Sequence, residues 1–307
     1  MQFFKTPNID FVGKRKLFTI LSVSINILAL VVTLIFPPPL GIDFKGGAEM
    51  GIEFKNNTNI SQLRDALDKS DLSGIEIKSY GASNQFLVRI PEAQNSTDQI
   101  TELLSKEFGD NYKIIKVDKI GPKIGSEMFA NALWAVLFSV IAMLLYIAFR
   151  FDFAFGVGAI VALVHDVLFT FGMIVLVHHL GILNMEVDQG FIAGILTVVG
   201  YSVNDTVVIF DRIRENAEIH KGLNYFKLVN MSINEVLSRT LNTGMTTLGV
   251  LLIFVFMGGP VLQSFSFIMF IGIVIGTYSS IFVASNFVIW YHTTRKEKIN
   301  TNLSTAK

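Results

Sequence analysis

The sequence predicts an α-helical polytopic membrane protein: six transmembrane helices, with one small α+β domain of ferredoxin-like βαββαβ order on the extracytoplasmic side between helices 1 and 2. Three observations carry this. Hydrophobic residues make up 51% of the 307-residue chain and charged residues only 16%, where soluble domains carry roughly 25% charge; the mean hydropathy is +0.52. Apolar runs close to the roughly 20 residues a helix needs to cross a bilayer recur six times. A single stretch of about 80 residues, 41–122, is polar and alternates in hydrophobicity instead.

Taken in order, residues 1–16 form an inner N-terminal segment that ends in Lys14-Arg15-Lys16, and the first span is 17–36. A secretory signal opens the same way, but its apolar core is only about 7–15 residues long and ends at a small-residue cleavage site. This run is longer and stops at Pro37-Pro38-Pro39, so it reads as an uncleaved span. The extracytoplasmic domain is assigned to 37–125. Within it, 48–54 reads as a strand, 60–69 as a helix, 74–80 and 85–90 as strands joined by Gly81-Ala82-Ser83-Asn84, 96–108 as a helix and 112–120 as the last strand. Asp43-Phe44-Lys45-Gly46-Gly47 reads as a turn before the first strand, and Gly121-Pro122 marks the return to the membrane. The remaining spans are 126–149, 153–177, 190–210, 238–257 and 265–291. Between the fourth and fifth, an inner loop at 211–237 carries an amphipathic helix with Phe226, Val229, Ile233, Val236 and Leu237 on one side, expected at the interface. Residues 292–307 are an inner tail.

Orientation follows from basic residues in the short loops. With the N-terminus inside, the inner segments hold Lys5, Lys14, Arg15, Lys16, Arg150, Arg212, Arg214, Lys221, Lys227, Arg295, Lys296 and Lys298. The outer loops 178–189 and 258–264 hold no Lys or Arg. Both termini are therefore expected in the cytoplasm and the domain outside.

Ionisable side chains inside a span cost about 2.5–3.5 kcal/mol each on insertion scales, so they are the first functional candidates. The third span carries His165-Asp166 near its middle and the fourth carries Asn204-Asp205 near its inner end. Gly190, Gly194, Thr197, Tyr201 and Asp205 step by three and four and make one small-and-polar face. In the fifth span, residues 244–257 alone are too short to cross. Extending the span back to Ser238 draws Arg239 into the hydrocarbon, on a face shared with Thr243, Thr246, Thr247 and Val250. Asp205 and Arg239 then lie at similar depth on consecutive spans, where a pair between them would offset much of the burial cost of each. Each group also has a plainer reading. His165 can be a packing histidine, Asn204 a helix–helix hydrogen bond, and Asp205 with Arg239 a structural clamp. Gly190/Gly194 and Gly272/Gly276 are GxxxG-type packing positions.

Other function classes find little support. Lys plus Arg and Asp plus Glu number 25 each, so no basic excess marks a nucleic-acid partner. There is no cysteine. No HExxH, GxSxG or GxxxxGK[ST] stretch occurs, and Asp205 lacks the Gly-x-Gly-Asp context of an intramembrane aspartyl protease. No enzyme, cofactor or metal is expected. Acidic and basic groups within the membrane, with no nucleophile, form the pattern of a proton or ion relay through Asp205, Arg239, Asn204, Asp166 and His165, with Tyr201, Thr197, Thr243 and Thr247 as its polar surround.

The stretch Gly200-Tyr201-Ser202-Val203-Asn204-Asp205-Thr206-Val207-Val208-Ile209-Phe210-Asp211-Arg212-Ile213-Arg214-Glu215-Asn216 resembles the signature of the SecD/SecF family of protein-translocase subunits. Ile42-Asp43-Phe44 with Gly46-Gly47, Gly121-Pro122 with Gly125, and His165-Asp166-Val167 resemble it too. So do Arg239-Thr240-Leu241 with Thr243, Thr246-Thr247, Gly258-Gly259-Pro260-Val261, and Gly276-Thr277 with Ser279-Ser280. The resemblance runs through nearly the whole chain in order. Two positions depart from it: Lys45 where the family more often has Thr, and Gly244 where it often has Ser. The resemblance implies a relation to exporters of the resistance-nodulation-division type and a heterodimer with the similar six-span subunit SecD. It also implies association with the SecYEG channel, often with YajC, action after the ATPase SecA on unfolded preprotein in a bacterial inner membrane, and energy from proton flow. Asp205 and Arg239 fall on family positions tied to that flow; Asn204, Asp166 and His165 match less closely. The residues themselves suit H⁺ or Na⁺ equally. They leave open a half-transporter for small molecules or lipids, although the small outer domain leaves little room for a substrate tunnel, and a scaffold subunit that carries no ion.

Overall fold

The structure is a computed structural model that describes residues 7–56, 58–69, 74–80, 82–90 and 96–305. Lys5, counted in the charge bias, and Gly81, in the expected turn, fall outside the described residues. The elements run α1 (Arg15–Ile35), α2 (Ile42–Lys45), β1 (Gly47–Phe54), α3 (Ile60–Leu67), β2 (Glu76–Ser79), β3 (Gln85–Ile90), α4 (Ser96–Phe108) and β4 (Tyr112–Ile120). The helices α5 (Pro122–Arg150), α6 (Phe153–His179), α7 (Gln189–Ile219), α8 (Tyr225–Met257), α9 (Gly259–Ser279) and α10 (Ser285–Thr305) complete the chain, with a single π-helical stretch, Ser280–Ala284, joining the last two. Among the described residues, six helical units are long and apolar enough to cross a membrane: α1, α5, α6, α7, α8 and the composite of α9 and α10.

The four strands form one antiparallel sheet in the order β2-β3-β1-β4. This is the order that a βαββαβ chain gives when each helix carries it back over one face. Alternate side chains of β1, namely Ala48, Met50, Ile52 and Phe54, turn toward α3 and α4 and are buried with Leu63, Leu67, Val88, Ile100 and Leu104. Helix α3 starts cleanly because Asn59 and Gln62 form a capping box.

The opposite face of the sheet is not left to water. Glu49, 6% exposed, accepts from Arg89 Nη2 at 2.6 Å and Lys116 Nζ at 3.0 Å. Arg89 also donates, through Nη1 at 2.9 Å and Nη2 at 2.6 Å, to Glu186 on the loop between α6 and α7, and Lys78 Nζ reaches Glu186 at 2.8 Å. The same loop and the start of α7 are hydrogen-bonded to α2 and the segment before it: Gly41 N–H to the Val187 carbonyl at 2.9 Å, Val187 N–H to the Pro39 carbonyl at 2.7 Å, and Gln189 N–H to Asp43 at 3.1 Å. The sheet is thus latched to the bundle through one carboxylate.

Burial alone would raise the Glu186 carboxyl, but Arg89 and Lys78 hold it below its usual value. A carboxyl depressed by folding adds stability that is present above its ordinary pKa of about 4.3 and is lost as pH falls through the lowered folded value. Thermal unfolding of the purified protein should therefore show a Tm that drops on acidification below about pH 4. Glu186→Gln should lower Tm at neutral pH, by the loss of about 2 kcal/mol of charged hydrogen bonding, and should flatten that acid limb. An unchanged limb in the variant would assign it to other carboxyls.

The close approach of α2 to α5 explains why glycines crowd here. Gly46 has φ +75°, and a Cβ there would meet Pro122 at 2.8 Å; a Cβ on Gly125 would stand 3.0 Å from the Phe44 carbonyl oxygen. Only hydrogen fits at these positions, so the expected turn at 43–47 is a short helix clamped on the base of α5.

Several helices run past the expected spans. Helix α5 begins at Pro122, α7 continues to Ile219, and α8 is one unbroken helix from Tyr225. The loop expected at 211–237 shrinks to a few residues about Lys221. Its amphipathic helix is the first part of α8, and Val229, Ile233 and Leu237 are buried in the bundle core with Phe210 and Ile213, not laid on the interface. The tail likewise continues as helix to Thr305. At this end polar side chains tie the helices together. Arg150 pairs with Asp211 at 2.8 Å, Arg212 with Glu235 at 2.6 Å, and Asn216 donates to Glu235 at 2.7 Å. Asn230 and Asn234 hold the backbone of Ile9, Phe11 and Val12 against α8.

Candidate functional site: carboxylates inside the bundle

Helices α7 and α9 approach closely because glycine lies at the crossing. A Cβ on Gly272 would overlap the Val198 side chain, and one on Gly276 would stand 3.1 Å from the Ser202 Cβ. Gly272→Leu is accordingly expected to force the pair apart at about 1–3 kcal/mol and to lower the amount of folded protein recovered from the membrane. Recovery equal to wild type would show that the crossing adapts.

With the crossing at Gly276, the next three side chains of the last span are aimed at three different neighbours, because successive helical residues turn by about 100°. Thr277 Oγ1 donates to Asp205 at 3.1 Å, Tyr278 OH lies 2.7 Å from Ser22 Oγ on α1, and Ser279 Oγ donates to Asp166 at 2.7 Å. The π stretch begins at the next residue, 280, and a wide turn of this kind is frequent at functional sites.

The two aspartates sit in different surroundings. Asp166 is wholly buried: Ser202 Oγ donates to it at 2.5 Å and Ser279 Oγ at 2.7 Å, while His165 Nδ1 lies 2.9 Å from its other oxygen. Three helical segments converge on it, and no side of it faces solvent or lipid. Asp205 is half-buried and has one hydrogen bond, from Thr277. The ion pair between Asp205 and Arg239 suggested by their depths is not formed; Arg239 is exposed on α8 and acts on Asp205 only as a nearby charge.

Beside Asp205 the bundle surface is polar where lipid would be expected. Thr197, Gly200, Tyr201 and Asn204 on α7 are exposed, as are Arg239, Thr243 and Thr246 on α8, with Asn242 and Thr247 half-buried between. The hydroxyls of Thr197, Thr246 and Thr247 are spent on carbonyls of their own helices. The single face expected from Gly190 to Asp205 is divided: Gly194 packs on Ile268 of α9, while Thr197 and Tyr201 look outward. Of the expected residues, the structure joins His165 to Asp166 and sets Asn204, Tyr201, Arg239 and Thr243 around an open stripe that borders Asp205. Sequence reasoning missed Ser202, Thr277 and Ser279, the hydroxyls that hold the carboxylates. The spacing Gly272, Gly276, Ser279 continues one small-residue stripe and was the available signal.

The fold and the site define a class: a polytopic helical membrane protein whose small α+β domain is inserted between its first two spans and latched to the loop before the fourth, with carboxylates held inside the bundle beside an uncovered polar stripe. Residues 100–294 match the family described as protein export membrane protein SecD/SecF, C-terminal, and residues 31–58 match the SecD/SecF GG motif, which contains the Gly46-Gly47 pair. The protein translocase subunit SecF of Rhodothermus marinus is 40% identical over 293 residues, covering 94% of this chain and 95% of that one. A crystal structure of SecDF from Thermus thermophilus, a translocon-associated membrane protein, superposes with a TM-score of 0.84 at 36% identity over 94% of this chain. SecDF in a super-membrane-facing form gives 0.73 at 35% identity over 98%. This chain spans 39% and 41% of those two longer chains. It belongs to the SecD/SecF family of protein-export membrane proteins.

Proposed function

We propose that this chain is the SecF-type half of a protein-export machine, not an enzyme, in which a six-span SecD-type partner covers the stripe beside Asp205 and ion flow through the joined bundles drives late translocation of preprotein. The observation that carries this is a half-buried carboxylate held by a single hydroxyl, opening on exposed Tyr201, Asn204 and Arg239 in the middle of an otherwise apolar surface. Polar groups facing lipid are costly, and a second bundle with matching polar groups removes that cost. In this reading H⁺ or Na⁺ is the driving ion, both termini lie in the cytoplasm, and the domain stands outside a bacterial inner membrane. SecYEG, YajC and SecA are the surrounding machinery, and unfolded preprotein is the cargo. The relatives named SecF and the joined SecDF chains support the reading.

Loading of Asp205 by an ion alters its balance with Arg239 and hence the packing of α7 on α8 and α9. The latch through Glu186 joins the outer end of α7 to the sheet, which gives motion of the bundle a path to the domain. The absence of cysteine makes a clean test available. Single cysteines at Asn204 and Thr246 should react with a membrane-permeant maleimide in the chain alone and be shielded when the SecD-type partner is co-expressed. Equal labelling in both conditions contradicts the pairing.

A further inference from the structure

A second feature lies on another face of the bundle. Helices α1, α6 and α10 enclose an open groove of about 850 Å³, in the range that holds small ligands. Its wall is largely apolar, with Ile20, Val23, Val164, Leu168 and Val283 among the lining residues. Its mouth, at the end of the bundle near the N-terminus, carries Arg15 and Lys16, and no acidic residue lines it. Among the described residues neither cation has an ion-pair partner; the Arg15 guanidinium is held in place over the Phe226 ring, 4.5 Å from its centroid. Trp290, 58% exposed, stands on the rim. Unpaired cations above an apolar slot with an aromatic rim are complementary to an anionic headgroup above an acyl chain.

We propose that this groove binds one anionic phospholipid, its phosphate at Arg15 and Lys16 and an acyl chain along the α1–α6 wall. The chain covers His165, which lines the groove and whose Nε2 is buried with no hydrogen-bond partner among the described residues, and so adds an apolar layer between the lipid and the buried Asp166. Bound there, the lipid joins α1 to the last span next to its π stretch.

The protein has two tryptophans, so Trp134→Phe leaves Trp290 as the only tryptophan, excited selectively at wavelengths where tyrosine does not absorb. The full chain carrying that change is reconstituted in phosphatidylcholine vesicles, and quenching by brominated phosphatidylglycerol is compared with quenching by brominated phosphatidylcholine. Each basic residue near a membrane surface adds roughly fivefold to anionic-lipid affinity. The anionic lipid should therefore reach half-quenching at a mole fraction at least about fivefold lower. Arg15→Gln with Lys16→Gln should abolish the preference, and Arg15→Lys should keep it, which separates loss of charge from loss of fold. Equal quenching by the two lipids overturns the proposal, as does a preference that survives in the double glutamine variant. Loss of the preference on adding inorganic phosphate, with no lipid effect remaining, assigns the site to a free anion and overturns the lipid as its occupant.

Discussion

Replacing Asp166 with leucine is expected to remove most of the folded protein from the membrane. The carboxylate accepts from Ser202 on α7 and Ser279 on the last span, and it lies against His165 on its own helix. All of these partners are buried, so leucine leaves the Ser202 hydroxyl and the His165 ring nitrogen without partners and Ser279 with only the Gly276 carbonyl at 3.1 Å. Interhelical hydrogen bonds in membrane bundles are worth about 0.6–1.7 kcal/mol each, and orphaned buried polar groups about 1–3 kcal/mol. The sum is about 3 kcal/mol or more, a large share of a typical stability of about 5–15 kcal/mol. Asp166→Asn keeps the shape and an acceptor oxygen for the serines and should retain abundance near wild type. Membrane levels measured by immunoblot, with unfolding followed in detergent, check both. Leucine accumulating as well as aspartate would show that the cluster does not hold the bundle together.

Asp205→Asn should behave in the opposite way, leaving the fold and removing the work. Asp205 makes one hydrogen bond, from Thr277, which the asparagine carbonyl can still accept, and it forms no ion pair whose loss would strand a buried cation. Abundance and assembly with the partner are therefore expected to hold. What asparagine lacks is a charge that an ion can neutralise. Moving one charge through 100 mV releases about 2.3 kcal/mol, enough to bias a two-state element roughly fiftyfold. Export of a model secretory protein in cells carrying the variant should fall to the level of cells without the protein.

The small α+β domain was legible because a strand in a half-buried sheet advertises itself by alternation: helix α4 and strands β3 and β4 lie on the residues that the pattern marks. The ends of the long helices were not legible. An apolar count measures the thickness of hydrocarbon, and α5, α7 and α8 continue as helix beyond it with polar side chains that pair among themselves, as Arg212 and Asn216 do with Glu235. The buried apolar positions of early α8, Val229 and Ile233, have the same periodicity whether they face lipid or core, so their place in the bundle could not be read from spacing. In the site, the acidic residues stood out because charge in a span is rare. Ser202, Thr277 and Ser279 did not, since a hydroxyl in a helix can satisfy itself on its own backbone and carries little hydropathy signal. Equal depth of Asp205 and Arg239 did not make a pair, because depth leaves the rotation of each helix undetermined.

The coupling of an ion gradient to export through Asp205 is tested most directly by late translocation into inverted membrane vesicles. The rate is measured with the motive force imposed and then collapsed, for the wild-type chain and for Asp205→Asn at equal abundance and partner content. Wild type should be stimulated by the motive force, and the variant should proceed at the collapsed rate under both conditions. Full stimulation of the variant would contradict a coupling role for Asp205 and leave the subunit as a scaffold.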